Sequence, residues 1–316
     1  MTWYFPFVFL GAGVLLGLFK LNSRLLLVDY AGNAALVVLM FAIGINVGAD
    51  DTVIGSIGVI GFRCLVITIG VLLFSVLFVA LLEKTALPLD RLKNELTGMQ
   101  IGASISADTD TGKKRSPLVW IIPGCIITGA AAGYSIVPQG MLQAVDMCFL
   151  VSLAVLYITV GIGLMQNRSV FSYIKTLGWK VILLPVAIML GSLTGGAAAG
   201  LLLNIELHIS LLAAGGMSFY SLTGAFMTQA FGIKAGTYGF LVNVFREFFT
   251  VLLLPLLVKI GSGAPIAGGA AGNMDTMLVP VTKFVGVEMG FVALITGTVL
   301  TFAVPVLLPA LAGFFL

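Results

Sequence analysis

The sequence predicts an all-α polytopic membrane protein, and three observations support this fold class. Of the 316 residues, 59% are hydrophobic and 9% are charged, with a mean hydropathy of +1.15, whereas a soluble domain carries about 25% charged residues. The apolar segments are mostly about 20 residues long, which matches the hydrocarbon core of a bilayer. Their hydrophobic pattern is not amphipathic enough for surface helices. We therefore expect about 8 to 10 membrane segments, all of them helical.

The first six segments are predicted as uninterrupted spans. They lie at 5–20, 30–49, 57–82, 117–137, 143–165 and 178–203. The third and fourth are separated by the long polar connection over 83–116, which contains Lys84, Arg91, Lys93, Lys113, Lys114 and Arg115. Cytoplasmic loops carry an excess of basic residues, so this connection is predicted to be cytoplasmic. With three spans before it, the N-terminus is predicted to be extracytoplasmic.

An internal repeat divides the first part of the chain into two units, 1–82 and 117–203. Asp29 matches Asp146 and Gly44 matches Gly161, at an offset of 117 residues each time (146 − 29 and 161 − 44). Because each unit has three spans, the second unit must be inverted relative to the first. Inverted repeats of this kind are typical of secondary transporters.

The remaining residues, 204–316, are predicted to form two interrupted segments, each followed by a long helix. The interrupted segments lie near 207–231 and 264–285, and the long helices near 236–258 and 287–313. Whether the interrupted segments span the membrane as broken helices or re-enter it is left open. Interrupted helices in corresponding positions mark the binding site of many transporters. We treat 1–316 as a single transport domain with its substrate site in this last part.

The first interrupted segment places glycine and polar groups in the middle of an apolar stretch. Gly215 and Gly216 precede a polar group made of Ser218, Tyr220, Ser221 and Thr223. Each glycine costs a helix about 1 kcal/mol relative to alanine, so a break is expected here. Backbone groups freed by a break persist at membrane depth where they line a cavity. Close packing of helices through small residues is the alternative.

Two further polar groups accompany the breaks. Asn243, Arg246 and Glu247 lie within the first long helix, and charge inside a membrane indicates a functional site by default. In the second interrupted segment, Asn273 and Asp275 follow a glycine-rich run. Asp275 is a candidate cation ligand, and a helix N-cap is its structural alternative. For Arg246 the alternative is a structural partner of an acid on another helix.

At these residues the chain resembles the bacterial lysine exporter family of LysO type. The most specific matches are Tyr220-Ser221-Leu222, Asn243 with Arg246-Glu247, and Met274-Asp275 before Leu278-Val279-Pro280. The resemblance implies a carrier of the bacterial inner membrane that exports L-lysine and analogues such as thialysine. It also implies that membrane-embedded acids are essential. The matching positions are Asp275 and one of Asp50 and Asp51.

Lysine needs a carboxylate for each of its ammonium groups and hydrogen-bond donors for its α-carboxylate. Asp275 and Glu247 are the candidates for the ammonium groups. The candidate ligands for the rest of the substrate are Arg246, Asn243, Asn273, Ser218, Tyr220, Ser221 and Thr223, together with the amides at a half-helix start. A carboxylate that binds either an ammonium group or a proton couples the two, and the candidates are Asp275, Asp50 and Asp51.

The sequence also argues against several other classes of protein. It shows no nucleophile paired with a base, no metal-ligand spacing and no phosphate loop, so we expect neither an enzyme nor a cofactor. The net charge of +3 resides mainly in the loops, which orients a membrane protein and does not indicate a nucleic-acid partner. The expected partners are lysine, protons and the bilayer. The oligomeric state stays open, a homodimer being one option, and a proton- or sodium-coupled transporter of another amino acid or an organic anion is the alternative function.

Overall fold

In a computed structural model of the chain, residues 5–18, 25–87, 89, 118–138, 141–166 and 178–315 are described, and all secondary structure in these ranges is helical. The helices are α1 (Phe5–Leu18), α2 (Leu25–Ala49), α3 (Asp51–Thr85), α4 (Leu118–Ser135), α5 (Leu142–Gln166), α6 (Leu183–Leu202), α7 (Leu207–Gly215), α8 (Tyr220–Phe231), α9 (Ile233–Ile260), α10 (Gly263–Gly269), α11 (Leu278–Val285) and α12 (Val287–Ala312). Short 3-10 turns cover Trp179–Ile182 and Ala270–Met274. The predicted all-α class is confirmed.

Six helices of the described residues are long and apolar enough to cross a membrane. They are the helical stretches Tyr30–Ala49, Ile54–Thr85, Leu142–Gly163, Trp179–Leu202, Ile233–Ile260 and Val287–Ala312. Their outward faces carry exposed large hydrophobic side chains such as Phe62, Leu73 and Leu252. Such faces are stable against lipid tails and would be unfavourable in water.

The helices of the first part of the chain pack in pairs that cross between the two predicted repeat units. The largest contacts join α3 to α6, α2 to α4 and α1 to α5. Glycines allow the close approach of α3 and α6, since a Cβ atom added at Gly191 would lie 2.6 Å from the Cα of Ser75. Small residues at helix crossings are the usual basis of tight packing in membranes.

The last part of the chain contains two interrupted segments, as the sequence predicts. The first consists of α7 and α8, which have 9 and 12 residues and hence lengths of about 14 and 18 Å. Neither helix alone reaches the about 30 Å of a hydrocarbon core. The second consists of α10 and α11, with 7 and 8 residues. Each segment precedes a long helix, α9 of 28 residues and α12 of 26.

The interruptions lie at 216–219, which we call the first break, and at 270–277, the second break. They lie against each other, because the amide of Ala271 donates a hydrogen bond to the carbonyl of Met217 at 2.9 Å. This bond joins backbone groups that the two breaks release from regular helix. The breaks therefore form one polar region between α9 and α12.

The predicted spans agree with the helix ends to within a few residues at most positions. The main differences are longer helices, since α2 begins at Leu25 and α3 extends over Asp51–Thr85. The predicted cytoplasmic connection falls outside the described residues from 90 to 117, as do the side chains of Asp29 and Asp51. The number of membrane segments stays a prediction.

Candidate functional site

The first break is held in place by Asn243 of α9. The side-chain oxygen of Asn243 accepts a hydrogen bond from the amide of Ser218 at 2.7 Å. Its side-chain nitrogen donates to the carbonyls of Ala213 at 2.9 Å and Gly239 at 2.7 Å. Asn243 is 1% exposed. One amide side chain thus satisfies a donor and an acceptor that the interrupted helix leaves free, as buried backbone groups require.

The backbone at both breaks adopts conformations that L-amino acids rarely take. Met217 and Ser218 have φ angles of 47° and 76°, and Ala270 in the second break has a φ of 47°. Non-glycine residues in this region cost of order 1–3 kcal/mol each and persist where the surroundings determine them, often at ligand sites. The strain at the two breaks therefore indicates a functional position.

We expect Asn243→Leu to destabilise the protein, because leucine has a similar volume but cannot bond Ser218 and Ala213. Each buried backbone group left without a partner costs about 1–3 kcal/mol. The free energy of unfolding should fall by about 2–4 kcal/mol, measured by thermal or denaturant unfolding in detergent. The matched control is Thr298→Val on α12, whose hydroxyl donates only to Leu294 of its own helix. An equal effect of both substitutions would contradict this role for Asn243.

The second break brings two carboxylates to one place. The hydroxyl of Thr276 donates to the Glu247 carboxylate at 2.9 Å, and the amide of Thr276 donates to the Asp275 carboxylate. Glu247 lies on α9 and is half-buried. The side chain of Asp275, in the second break, is exposed. Carboxylates from two elements therefore converge at Thr276.

The N-terminus of α8 faces the same region. Tyr220 is the first residue of α8 and directly follows the first break, which is hydrogen-bonded to the second break through Met217 and Ala271. Tyr220 also packs edge-on against Phe240, with ring centroids 5.7 Å apart. The hydroxyl of Ser218 is buried and has no hydrogen-bond partner among the described residues. A buried unpartnered hydroxyl next to the amides of a helix start suits a bound anionic group.

We expect Gly272→Ala to impair the site while leaving the fold intact. A Cβ atom at Gly272 would lie 2.8 Å from the Glu247 carboxylate and 3.3 Å from the Thr276 hydroxyl. Those contacts are too close, so the end of the Glu247 side chain must move away. Binding of lysine, the substrate that the family resemblance implies, should weaken about tenfold in the purified variant, corresponding to about 1.4 kcal/mol. Gly61→Ala, where the added atom meets nothing within 4 Å, is the control, and equal binding by both variants would contradict the prediction.

Arg246 lies next to Glu247 in sequence but contacts a different part of the molecule. It is fully buried and donates to the hydroxyls of Ser75 and Ser192 and to the carbonyls of Ala267 and Gly268. No carboxylate pairs with Arg246 within the ranges that the structure describes. The structure therefore places this guanidinium group against backbone carbonyls and hydroxyls.

The other predicted site residues take several positions. Asn273 is fully buried and donates to the carbonyl of Ile266 at 2.7 Å, and its side-chain oxygen has no partner among the described residues. Thr223 is buried and donates to the carbonyl of Phe219, whereas Ser221 is buried in the first turn of α8. Asp50 is half-buried at the junction of α2 and α3. The proposed role of Asp50 or Asp51 in proton coupling stays a prediction.

Sequence reasoning missed Thr276, Ser75 and Ser192. Thr276 connects the two carboxylates, and its position directly after Asp275 was a usable signal. Ser75 and Ser192 contact each other at 3.1 Å and both contact Arg246. They are separated by 117 residues (192 − 75), which is the offset of the sequence repeat. The sequence repeat therefore indicated that these two serines occupy equivalent positions in the two units.

Comparisons with known proteins identify a family and two relatives of this chain. The model of the family described as "Lysine exporter LysO" matches residues 7–102 and 124–312. The chain is 28% identical over 185 residues to the protein named "Lysine exporter LysO" of Escherichia coli (strain K12), covering 58% of this chain and 61% of that protein. It is 27% identical over 155 residues to a "Putative lysine exporter" of Haemophilus influenzae, covering 49% of this chain and 79% of that protein.

The alignment with the E. coli protein spans less than two thirds of that protein's length. No solved structure matches the chain. The family match extends over both the paired helices and the interrupted segments. With its several apolar helices of membrane-spanning length, this multi-pass membrane protein belongs to the lysine exporter LysO family.

Proposed function

We propose that this protein is a secondary transporter of the bacterial inner membrane that exports L-lysine, and analogues such as thialysine, in exchange for protons. The observation that carries the proposal is the convergence of Glu247 and Asp275 at Thr276, beside the two breaks. Lysine carries two ammonium groups, and two carboxylates provide one partner for each. The names of the relatives from E. coli and H. influenzae support lysine as the substrate.

The α-carboxylate of lysine is assigned to the start of α8. The hydroxyl of Ser218 and the first amides of the helix from Tyr220 provide donors there, and the helix dipole favours an anion at this end. The substrate then lies with its anionic group toward α8 and its cationic groups toward Glu247 and Asp275. This arrangement matches the charge distribution of a basic amino acid.

The position of Arg246 supports lysine over an organic anion, the alternative substrate class. A free cationic side chain at the site would favour an organic anion. Arg246 instead uses its donors on Ser75, Ser192 and the carbonyls at the end of α10. Beside Thr276 the described residues instead provide the carboxylates of Glu247 and Asp275.

Proton exchange supplies the energy for export. Moving one positive charge outward against a negative-inside potential costs about 2.3 kcal/mol per 100 mV. A proton that enters for each lysine that leaves compensates this charge movement. Asp275 is assigned as the shared site because its exposed carboxylate is accessible to both a proton and an ammonium group. The protein acts in this scheme as a carrier and not as an enzyme.

Competition binding tests the substrate class. Labelled L-lysine should bind the purified protein, and unlabelled lysine and thialysine should displace it. A dicarboxylate at the same concentration should leave binding unchanged. Displacement by the dicarboxylate and not by thialysine would favour the organic-anion alternative.

The two three-helix units are proposed to be related by an inverted repeat. In such a repeat α1, α2 and α3 correspond to α4, α5 and α6. The contact of α2 with α4 then corresponds to the contact of α5 with α1, and the contact of α3 with α6 corresponds to itself. Ser75 and Ser192, at equivalent repeat positions, contact each other within that last pair. A two-fold axis through this contact would produce these relations.

The same proposal fixes the sidedness of the protein, with the N-terminus outside and the 83–116 connection in the cytoplasm. We expect a single cysteine at position 113, in a background without native cysteines, to react with membrane-impermeant maleimide only after cells are opened. The basic residues of this connection give the physical reason. A cysteine placed at Val137, in the next connection, should react in intact cells. The reverse pattern would overturn the topology.

A further inference from the structure

The half-helix α10 is attached at both ends by charged side chains of its neighbours. At its start, the carboxylate of Glu83 on α3 accepts a hydrogen bond from the amide of Gly263 at 2.8 Å. At its end, Arg246 on α9 donates to the carbonyls of Ala267 at 2.8 Å and Gly268 at 3.1 Å. A helix has a partial positive charge at its N-terminus and a partial negative charge at its C-terminus. Both charged groups therefore have the sign that the adjacent helix end prefers.

The remaining donors of Arg246 connect α10 to the packed pair α3 and α6. One terminal nitrogen donates to Ser192 on α6 at 2.8 Å, and the other donates to Ser75 on α3 at 3.3 Å. The two serines also bond each other at 3.1 Å, and all three side chains are fully buried. The guanidinium group thus joins α3, α6, α9 and α10 at one point.

The second break begins at Ala270, two residues after Gly268, whose carbonyl Arg246 binds together with that of Ala267. Ala270 has the positive φ angle that turns the chain, and Asn273 and Asp275 follow. The last carbonyls of a helix lack intrahelical donors. Without a donor such as Arg246, these carbonyls would not hold the end of α10 in one place. The position of Arg246 therefore determines where the chain leaves α10.

We propose that Arg246 is a positioning residue that fixes the end of α10 to the α3–α6 pair and so sets the location of Asp275, without contacting the substrate. The attachment of α10 is independent of any substrate. The consequence for transport, through Asp275, rests on the proposed function.

Hydrogen–deuterium exchange of the purified protein, measured without lysine, tests the attachment. Arg246→Met should accelerate exchange in peptides covering 263–277 by about tenfold or more, since a charged hydrogen bond contributes enough to change a local opening equilibrium by that factor. Arg246→Lys should show an intermediate increase, because lysine keeps the charge but cannot reach all four acceptors in one plane. The double variant Ser75→Ala, Ser192→Ala should accelerate exchange in the same peptides.

Lys259→Met is the matched control, because Lys259 is an exposed basic residue on the same helix α9. It should leave the exchange of 263–277 unchanged. Unchanged exchange in a folded Arg246→Met variant would overturn the proposal, and so would a change that appears only when lysine is added. If Arg246→Met does not fold, the double variant Ser75→Ala, Ser192→Ala takes its place, and unchanged exchange of 263–277 in that variant would overturn the proposal. Because no lysine is present, a failure here is distinguishable from a failure of lysine export.

Discussion

The Asp275→Asn variant is expected to fold normally and to keep the side chain's local hydrogen bond with Thr276, but to export no lysine. Asparagine keeps the size of the side chain and an oxygen that can accept the hydrogen bond from the amide of Thr276. It removes the charge that attracts an ammonium group and the site that takes up a proton. Export measured from lysine-loaded proteoliposomes should fall to the level of protein-free vesicles. The reason is that a membrane carboxylate is the coupling group in the proposed exchange.

The alternative interpretation of Asp275 is a capping residue, and the same variant separates the two. Asp275 is not the N-cap of α11, since that position is Met277 and has no side-chain cap. It accepts instead from the amide that follows it, a local bond that asparagine also forms. Normal export by Asp275→Asn would therefore leave this local hydrogen bond as its only role. Glu288→Gln, an acid in the first turn of α12, is the control and should export normally.

Glu247→Gln is expected to raise the lysine concentration needed for half-maximal export while leaving a pH-dependent flux. Glutamine can still accept the hydrogen bond from Thr276 but no longer offsets the charge of one ammonium group. Losing a hydrogen-bond partner that is charged costs about 1.5–3 kcal/mol, so affinity should fall by about tenfold or more. Equilibrium binding of labelled lysine measures this change.

The prediction for Glu247 differs from that for Asp275 in its pH dependence. If Glu247 only binds lysine, saturating lysine restores the flux of Glu247→Gln and its response to pH. A variant whose flux at saturating lysine no longer depends on pH would contradict this and move the coupling role to Glu247. Asp275→Asn and Glu247→Gln together therefore assign the two carboxylates separately.

The features of the fold that depend on local sequence were predicted, whereas those that depend on tertiary contacts were not. The adjacent Gly215 and Gly216 predicted an interruption, and the chain does leave the helix directly after Gly215. Apolar length predicted the long helices, because a segment that crosses a bilayer must be about 20 residues long whatever its partners are. The positive φ at Ala270 was not predictable, since it depends on the tertiary contacts that stabilise a strained backbone.

The site was predicted in its residue types and only partly in its contacts. Helix geometry correctly separated Arg246 from Glu247, because adjacent helix positions point about 100° apart. It could not show that Arg246 meets carbonyls of α10, which come from a distant part of the chain. The predicted alternative for Arg246, an acid on another helix, is not what the described residues place there. Contacts between residues that are distant in sequence depend on how the helices pack. They cannot be derived from the spacing of residues in a single sequence.

Proton-driven efflux of lysine from proteoliposomes tests the central claim most directly. Vesicles containing the purified protein are loaded with labelled L-lysine at neutral pH and diluted into acidic or neutral medium, with the membrane potential clamped. We predict that the acidic medium accelerates lysine efflux and that the lumen acidifies as lysine leaves, in both cases only when the protein is present. Efflux that is equal in both media, or that responds to a sodium gradient alone, would contradict lysine–proton exchange.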